Sequence, residues 1–280
     1  MSLIYNVRLI SKRLRNSPYA FAAYFLDQLY GVRLTDGVLD RVQAELIAHR
    51  ATTHGRRDII NAPPSAGAFM EVVVQPAWRL GWNPSIQIEV ITPPAMADLT
   101  RTLIEHPDYA QIFPEVKLAP TDDPSVLQTT AGGRIVYRTL EERSVDRRTK
   151  LLVIDTPQAQ ADVATQAARD ASFALIEAAC AKVPAIGSIV LVTHRLHPDD
   201  ATARLQGQKR YTTWRFPVIA QEDVIFQLGE RGVKFFTGKL LDPVAWPQMR
   251  IAMLRHQLPP AVFAAHYLQA PLDPSDDDES

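Results

Sequence analysis

Cysteine, long apolar runs and an excess of charge of one sign are all scarce in this 280-residue sequence. The single cysteine, Cys180, excludes an internal disulfide, and a chain of this length can bury a core without a disulfide or a metal. No charge-free apolar run approaches the roughly 18 residues of a membrane helix. The 30 basic and 31 acidic residues argue against a surface that is basic throughout. We therefore expect a soluble, cytoplasmic protein built around one large domain.

Three common catalytic or binding motifs are also missing. The patterns Gly-x-Ser-x-Gly, Cys-x-x-Cys and Gly-x-Gly-x-x-Gly do not occur in the chain. Their absence removes the sequence basis for a hydrolase triad, a zinc ribbon or a dinucleotide site.

Charge is distributed unevenly between the two ends of the chain. Residues 1–16 contain no acidic residue but four basic ones, Arg8, Lys12, Arg13 and Arg15. This segment fits either a basic arm that touches phosphate or the solvated start of a helix. Five of the last eight residues are acidic, namely Asp273, Asp276, Asp277, Asp278 and Glu279, which is typical of a disordered end. We therefore expect a basic N-terminal arm (1–17), one domain (18–272) and an acidic tail (273–280).

Apolar periodicity predicts alternating helices and strands. Helices are expected over 18–30, 36–50 with Asp36 as the N-cap, 68–80, 95–105 and 161–182. Strands are expected over 56–62, 86–90, 134–140, 151–154 and 188–193. The last two are continuous apolar runs, which are typical of central parallel strands covered on both faces. The order predicts an α/β sheet with ligands bound beyond the carboxyl ends of its strands, near 63–69, 155–158 and 193–200.

Short motifs follow one another in a fixed order from about residue 20 to residue 272. They include Arg-Asp-Ile-Ile-Asn-Ala-Pro-Pro (57–64), Pro-Ala-Trp-Arg-Leu-Gly (76–81), Leu-Leu-Val-Ile-Asp-Thr-Pro (151–157), Thr-His-Arg-Leu-His-Pro-Asp-Asp (193–200) and Phe-Ala-Ala-His-Tyr-Leu-Gln-Ala-Pro (263–271). In this order they resemble the ATPase domain of phage terminase large subunits, the motors that drive DNA into procapsids. The resemblance implies a P-loop NTPase-like three-layer sandwich with a mainly parallel central sheet.

The phosphate-binding loop departs from the family pattern. In the family it reads Pro-Pro-Arg-His-Gly-Lys-Ser, and the positions matched here are Pro64, Ser65, Ala66, Gly67, Ala68 and Phe69. Ala68 replaces the lysine that reaches the β- and γ-phosphates, and Phe69 replaces the hydroxyl that binds Mg²⁺. The resemblance therefore implies a vestigial nucleotide site, and we expect the ring of Phe69 to narrow it. Arg195 and Arg101 are the candidates for a substitute cation.

Two further family motifs are altered. Asp155 matches the Walker B carboxylate and is the one candidate metal ligand, but Thr156 stands where the family has a second carboxylate. A hydroxyl is a poor general base, so no catalytic residue is expected. Thr193, His194 and Arg195 match the coupling motif. These departures imply that ATP hydrolysis has been lost.

Several smaller signals allow two interpretations. The cluster His194, His197, Asp199 and Asp200 is either a metal site or a degraded coupling motif whose aspartates cap the next helix. The tryptophans, Trp78, Trp82, Trp214 and Trp246, either stack on bases or pack in the core. The basic residues Arg143, Arg147, Arg148 and Lys150 either follow a DNA backbone or belong to a solvated loop, since Glu141, Glu142 and Asp146 lie among them.

Two functional hypotheses remain open. The first is a terminase-type component of phage or prophage DNA packaging, with an ATPase-type domain that does not hydrolyse ATP and without a nuclease domain. The second is a non-enzymatic binding or regulatory protein that uses the motor fold to contact the active terminase or another packaging component. Either hypothesis implies packaging-motor partners (terminase subunits or portal), with DNA as a further candidate, no membrane and a location in the host cytoplasm or at the procapsid portal. No cofactor is expected beyond weak binding of ATP and Mg²⁺.

Overall fold

The computed structural model describes residues 7–31, 33–34, 37–64, 66–142, 145–228 and 231–272. The α-helices in these ranges are α1 (Val7–Asn16), α2 (Pro18–Tyr30), α3 (Val38–Thr52), α4 (Gln75–Trp82), α5 (Met96–Glu105), α6 (Pro107–Ile112), α7 (Gln166–Lys182), α8 (Ala201–Gly207), α9 (Gln248–Gln257) and α10 (Pro260–Leu268). The strands are β1 (Arg57–Asn61), β2 (Gln87–Ile91), β3 (Leu118–Ala119), β4 (Val126–Thr129), β5 (Arg134–Arg138), β6 (Leu151–Asp155), β7 (Ser188–Thr193), β8 (Thr212–Arg215), β9 (Val224–Leu228) and β10 (Arg231–Phe235).

The described strands form an eight-stranded sheet and a separate hairpin. The order in the large sheet is β3-β4-β5-β2-β6-β7-β1-β8, and β9 pairs with β10 alone. From β5 to β8 all pairs are parallel, whereas β3 and β4 at one edge pair antiparallel. Strands β6 and β7, which were predicted to be central, are neighbours, and β1 lies on the other side of β7. The mainly parallel sheet is therefore confirmed.

Helices cover both faces of this sheet, and the side chains of its central strands alternate between the two. Ile60, Val153 and Val190 belong to the hydrophobic core that also contains side chains of α2 to α5. Their neighbours Ile59, Leu152 and Leu191 belong instead to a second core with side chains of α7 and α8. This alternation follows from the two-residue period of a strand, and it confirms the predicted three-layer sandwich.

The starts of two predicted helices need comment. The helix predicted from residue 36 begins at Val38, with Gly37 in the N-cap position, and the predicted cap Asp36 lies outside the described residues. The prediction of one helix over 161–182 is wrong at its beginning. A 3₁₀ turn, Gln160–Val163, comes first, and α7 begins after Thr165, whose hydroxyl oxygen accepts a hydrogen bond from the backbone N–H of Ala168 at 3.1 Å. The capping side chain fixes the start of α7.

The segment after the first loop is helical as predicted, but it is not uniform. A π-helical turn, Met70–Val74, precedes α4. All five of its residues are buried, and one of them is the charged Glu71. Such turns insert one extra residue into a helix and are frequent at functional sites.

Helix α1 packs on the body of the domain. The indole N–H groups of Trp78 and Trp82 donate to the carbonyls of Leu14 (3.3 Å) and Arg15 (2.8 Å), and the Arg15 guanidinium donates to the carbonyl of Ile112. The second half of the predicted basic arm therefore has a fixed place beside α4 and α6. The acidic tail, 273–280, lies outside the described residues, so the division into arm, domain and tail stays a prediction.

Candidate functional site

A cavity of about 300 Å³ lies at the carboxyl ends of the three neighbouring strands β6, β7 and β1. Its lining comes from the loop after β1, the end of β6 and the end of β7. These residues are Ala62, Pro63, Pro64, Ala66, Ala68, Asp155, Thr156, Val192, Thr193 and His194. The topology of a parallel sheet brings these segments together, because the chain leaves neighbouring strands at the same edge.

Two hydrogen bonds stabilise the loop between β1 and the π-helical turn. The backbone N–H of Ala66 donates to the carbonyl of Pro63 at 2.9 Å, and the buried amide of Gln43 donates to the carbonyl of Gly67 at 2.9 Å. Gly67 has φ +80°, and a Cβ there would lie 3.0 Å from the Gln43 Nε2. The positive φ therefore favours glycine at residue 67, and a Cβ there would require the Gln43 amide to shift. Ser65, the remaining predicted loop residue, lies outside the described residues.

The two substituted loop positions behave differently. Ala68 lines the cavity, as the motif alignment places it. The prediction that the ring of Phe69 narrows the crevice is wrong, because this ring does not line it. The ring of Phe69 instead packs edge-on against Tyr30, with 6.2 Å between ring centroids, at the margin of the main core. Phe69 is partly buried and packs beside α2, so its effect on the site is that it supplies no hydroxyl for a metal.

Asp155 is the one charged side chain among the described residues that line the cavity. Its two carboxylate oxygens each accept a hydrogen bond at 3.0 Å, one from the Thr92 hydroxyl and one from the Thr156 hydroxyl. Burial raises the pKa of Asp155, and these two donors act against that increase. Thr156 has φ +42°, and its backbone N–H donates to the carbonyl of Val192 at 2.8 Å. Both hydroxyls thus stabilise the ionised form of Asp155. Among the described residues that line the cavity, no second carboxylate lies beside it.

The three residues matched to the coupling motif make contacts with different partners. The Thr193 hydroxyl donates to the carbonyl of His194 at 3.1 Å. The ring of His194 packs against that of His266 at 4.7 Å between centroids. Burial, and then the neighbouring His266, lower the pKa of His194 to about 4, so His194 is neutral at pH 7. His194 therefore adds no positive charge to the cavity.

The two candidate substitute cations are engaged elsewhere. The Arg195 guanidinium donates to Asp200 at 2.8 Å and to the carbonyl of His197 at 3.1 Å. Arg101 donates to the carbonyls of Val126 (3.0 Å) and Pro124 (3.2 Å), near the antiparallel edge of the sheet. Of the described residues that line the cavity, none is lysine or arginine.

The cluster of histidines and aspartates after β7 organises the start of α8. The Asp200 carboxylate caps this helix by accepting from the Ala203 backbone N–H at 3.0 Å, as the second interpretation predicts. Asp199 pairs with Arg204 (2.6 Å) and Arg169 (3.3 Å), and these hydrogen bonds lower the pKa of Asp199 to about 2. The part of the chain that the structure describes holds no group of three or more His, Cys, Asp or Glu arranged for a metal.

A buried charge cluster, which motif reasoning did not detect, lies beneath the loop. The Arg50 guanidinium donates to Asp58 at 3.1 Å, to Glu71 at 2.5 Å and to the Gln75 amide oxygen at 2.6 Å. All four side chains are buried. The pKa of Glu71 is raised by burial, against the effect of Arg50. A single charged residue in the apolar run Met70–Val74 was the available signal for this cluster.

Asp58 also receives hydrogen bonds from outside this core. The Arg56 guanidinium donates to it at 2.8 Å, and the Trp214 indole N–H donates at 3.0 Å. Although burial alone would raise the pKa of Asp58, Arg50 and these donors lower it overall. Arg50 is therefore held inside the protein by its carboxylate partners and does not line the cavity.

The chain is similar in structure to bacteriophage large terminases. The HK97 large terminase shares 11% identity at a TM-score of 0.44, over 74% of this chain and 46% of that chain. The large terminase of a thermophilic bacteriophage, in complex with ADP, shares 8% identity at a TM-score of 0.47, over 81% of this chain and 52% of that one. A second crystal form of the thermophilic phage protein gives 9% identity, a TM-score of 0.40 and coverage of 71% and 53%.

The chain thus spans about half the length of the large terminases it matches. No protein-family model and no curated protein matches it. Since these structural similarities all lie below a TM-score of 0.5, any functional role for this chain has to be argued from its own residues.

The remaining candidate surfaces can be placed on the fold. Trp78, Trp214 and Trp246 are buried, in agreement with core packing, and Trp82 is exposed. In the basic segment before β6, Arg148 pairs with Asp146 at 2.7 Å, while Arg143 lies outside the described residues. Among the described helices, none is long and apolar enough to cross a membrane.

Proposed function

We propose that the chain is a terminase-like protein of phage or prophage DNA packaging whose ATPase-type domain does not hydrolyse ATP. The observation that carries this proposal is the cavity at the ends of β6, β7 and β1, where Ala68 and Asp155 stand at the lysine and Walker B positions. The ordered motifs from residue 57 to residue 271 support the family resemblance. The replacement of the loop lysine by Ala68 and of the metal-binding hydroxyl by Phe69 supports the loss of hydrolysis.

Phosphoryl transfer depends almost entirely on positioning and on cations that neutralise the transferred group. The cavity offers no described lysine or arginine, and His194 is neutral. Asp155 is an acceptor and repels a polyphosphate. Thr156 provides no general base, since its hydroxyl already donates to Asp155. Each of these features opposes hydrolysis independently.

The residues do not fit ATP–Mg²⁺. A P-loop site holds the metal through a Ser or Thr hydroxyl together with a Walker B carboxylate. Here the hydroxyl position is Phe69, which supplies no metal ligand, and Asp155 is the one carboxylate among the described residues that line the cavity. We therefore assign no nucleotide or metal cofactor to the chain.

The partners that follow from this proposal are proteins of the packaging motor, namely terminase subunits or the portal, with DNA as a further ligand. The site of action would be the host cytoplasm, at the procapsid portal. Catalytic ATPase activity would then come from another chain. This arrangement gives the ATPase-like fold a structural role in the assembly.

Calorimetric titration with a non-hydrolysable ATP analogue and Mg²⁺ tests the inactive site. We expect no measurable heat of binding at millimolar nucleotide. An active P-loop ATPase in the same buffer serves as the positive control. Low-micromolar affinity would contradict the proposal and would require a phosphate-binding cation outside the cavity lining described above.

The second candidate function is a regulator that binds the active terminase without acting in packaging itself. The exposed side chains of Met249 and Met253 on α9 favour this candidate, because they form apolar surface that does not line the cavity. Deleting the gene distinguishes the two functions. Loss of DNA-filled particles supports a packaging component, whereas unchanged or increased packaging supports a regulator.

A further inference from the structure

Strand β8 forms one edge of the eight-stranded sheet, and its outer side carries unpaired backbone groups. The backbone N–H of Phe216, directly after β8, donates to the carbonyl of Asn61 in β1 at 2.8 Å. Backbone groups of successive residues in a strand point alternately to its two sides, so those of Trp214 face β1 and those of Thr213 and Arg215 face away from it. Within the part of the chain that the structure describes, no backbone group pairs with these two N–H groups and two carbonyls.

A groove of about 300 Å³ lies along this edge. One of its walls is β8, and the opposite wall is the hairpin of β9 and β10. The ring of Phe226 in β9 stacks on that of Phe216 at 4.7 Å between centroids, which fixes the hairpin beside the edge. Ile225, the next residue to Phe226, also lines the groove and is 57% exposed. The groove shares no lining residue with the cavity at the ends of β6, β7 and β1, so the two can be occupied independently.

We propose that this β8 groove, defined by the edge Thr212–Arg215 and by Ile225 of the hairpin, binds an extended segment of another protein, which adds a strand to the sheet. The backbone of that segment would form hydrogen bonds with the outward groups of Thr213 and Arg215. Its apolar side chains, at every second residue, would cover Ile225. Strand β8 has four residues and is therefore about 13 Å long, which matches a partner segment of four to five residues.

The outward backbone groups determine the kind of occupant. Donors and acceptors alternate along the edge at the spacing of a strand, and an extended polypeptide presents the matching acceptors and donors. A helix has already satisfied these groups internally, and the phosphates of a nucleic acid accept hydrogen bonds but donate none to the carbonyls. Arg215 and Glu222 both border the groove, so its charge selects neither an acidic nor a basic segment. The β8 edge of a second copy would bring its own hairpin into the groove, whereas a single strand does not.

Fluorescence anisotropy with the full chain and the labelled peptide Lys-Val-Thr-Val-Thr-Val-Thr-Lys tests the hairpin wall. We expect saturable binding that weakens about tenfold in Ile225→Glu, because this substitution places a charge against the apolar side chains of the peptide. The matched control is Ile186→Glu, which changes an isoleucine that is 55% exposed and does not line the groove. That control should leave the affinity unchanged, and circular dichroism verifies that each variant is folded.

The hydrogen bonds of the edge have a separate test. Thr213→Pro removes an outward N–H but no hydrogen bond to β1, and proline is tolerated at such edge positions. We expect Thr213→Pro to weaken binding of the peptide by about tenfold. Two further forms of the peptide, N-methylated either at its valines or at its threonines, lack the N–H groups of one side or of the other. One form should bind as the parent peptide does, and the other should lose binding.

Other outcomes would overturn the proposal. Unchanged binding in both Ile225→Glu and Thr213→Pro, or equal binding of the two N-methylated forms, would place the peptide elsewhere. A dimer of the chain that Thr213→Pro abolishes would make a second copy the occupant. Stronger binding after removal of residues 273–280 would assign the groove to a segment of the chain itself. The absence of saturable binding at millimolar peptide would refute strand addition at this edge.

Discussion

Asp40 and Asp242 both line a second cavity, of about 210 Å³, beside the loop that contains Gly67. Asp40 lies in the first turn of α3, where the helix dipole favours a negative charge. Burial, and then the charge of Asp242, nevertheless raise the pKa of Asp40 to about 7. Arg250 borders the same cavity but is held over Trp246. The ionised form of Asp40 is therefore disfavoured in the folded state.

The substitution Asp40→Asn should consequently stabilise the protein at alkaline pH. A carboxyl whose pKa is raised on folding adds stability below its unfolded pKa of 3.8 and loses that stability as pH rises toward 7. At 1.36 kcal/mol per pKa unit, the loss amounts to about 4 kcal/mol at pH 8 as an upper bound. An asparagine cannot ionise, so the variant should exceed the unsubstituted protein by about 2–4 kcal/mol at pH 8. The difference should fall by more than half at pH 5.

Urea denaturation followed by tryptophan fluorescence, at several pH values from 5 to 8, measures this difference directly. Asp98→Asn is the matched control, because Asp98 also lies in the first turn of a helix but is exposed. Asp98→Asn should lower the free energy of unfolding by a few tenths of a kcal/mol at most at every pH, because it removes a favourable interaction with the helix dipole. If Asp40→Asn is no more stable than the unsubstituted protein at pH 8, or if its advantage does not shrink with falling pH, the argument from burial is refuted.

Two further predictions concern the loop and the buried cluster. Restoring the lysine alone, Ala68→Lys, should not produce ATP hydrolysis, because Phe69 supplies no metal ligand and Thr156 no carboxylate; phosphate release above background without DNA would contradict this. Arg50→Met should lower the free energy of unfolding by about 3–5 kcal/mol, since it leaves Glu71 as a buried carboxylate without its cation and removes one of the two arginines that bind Asp58. Adding Asp58→Asn and Glu71→Gln to Arg50→Met should recover part of that loss in urea denaturation. A loss below about 1 kcal/mol in the single variant would show that the cluster is not coupled as the contacts imply.

The central sheet could be predicted from sequence because its strands carry an unambiguous signal. Leu151–Asp155 and Ser188–Thr193 are short, almost continuous apolar runs, and their length and β-branched residues favour a strand covered by helices on both sides. The start of α7 was predicted less accurately than the strands. Residues around Ala161 and Ala164 favour a helix as much as those after Gln166, and the hydroxyl of Thr165 decides between them. The hairpin of β9 and β10 and the helices α9 and α10 received no prediction at all.

The candidate site was predictable at the level of the backbone and less so at the level of side chains. Strand ends that share an edge of the sheet must meet, so Asp155 and Thr193 could be placed near the loop in advance. The direction of the Phe69 ring depends on Tyr30, which is distant in sequence and belongs to another helix. The role of Arg50 depends on three partners from other segments. Tertiary contacts of this kind leave no periodic signal.

The Arg50 cluster has a consequence for the cooperativity of unfolding. One guanidinium connects α3 with Asp58 of β1 and with Glu71 and Gln75 at the start of the helix after the loop. Opening any one of these segments would leave buried charges without partners, which costs several kcal/mol. These segments therefore open together, and their amide hydrogens exchange with solvent as one unit. The loop that lines the cavity runs from β1 to the π-helical turn, so the segments at both of its ends belong to this unit.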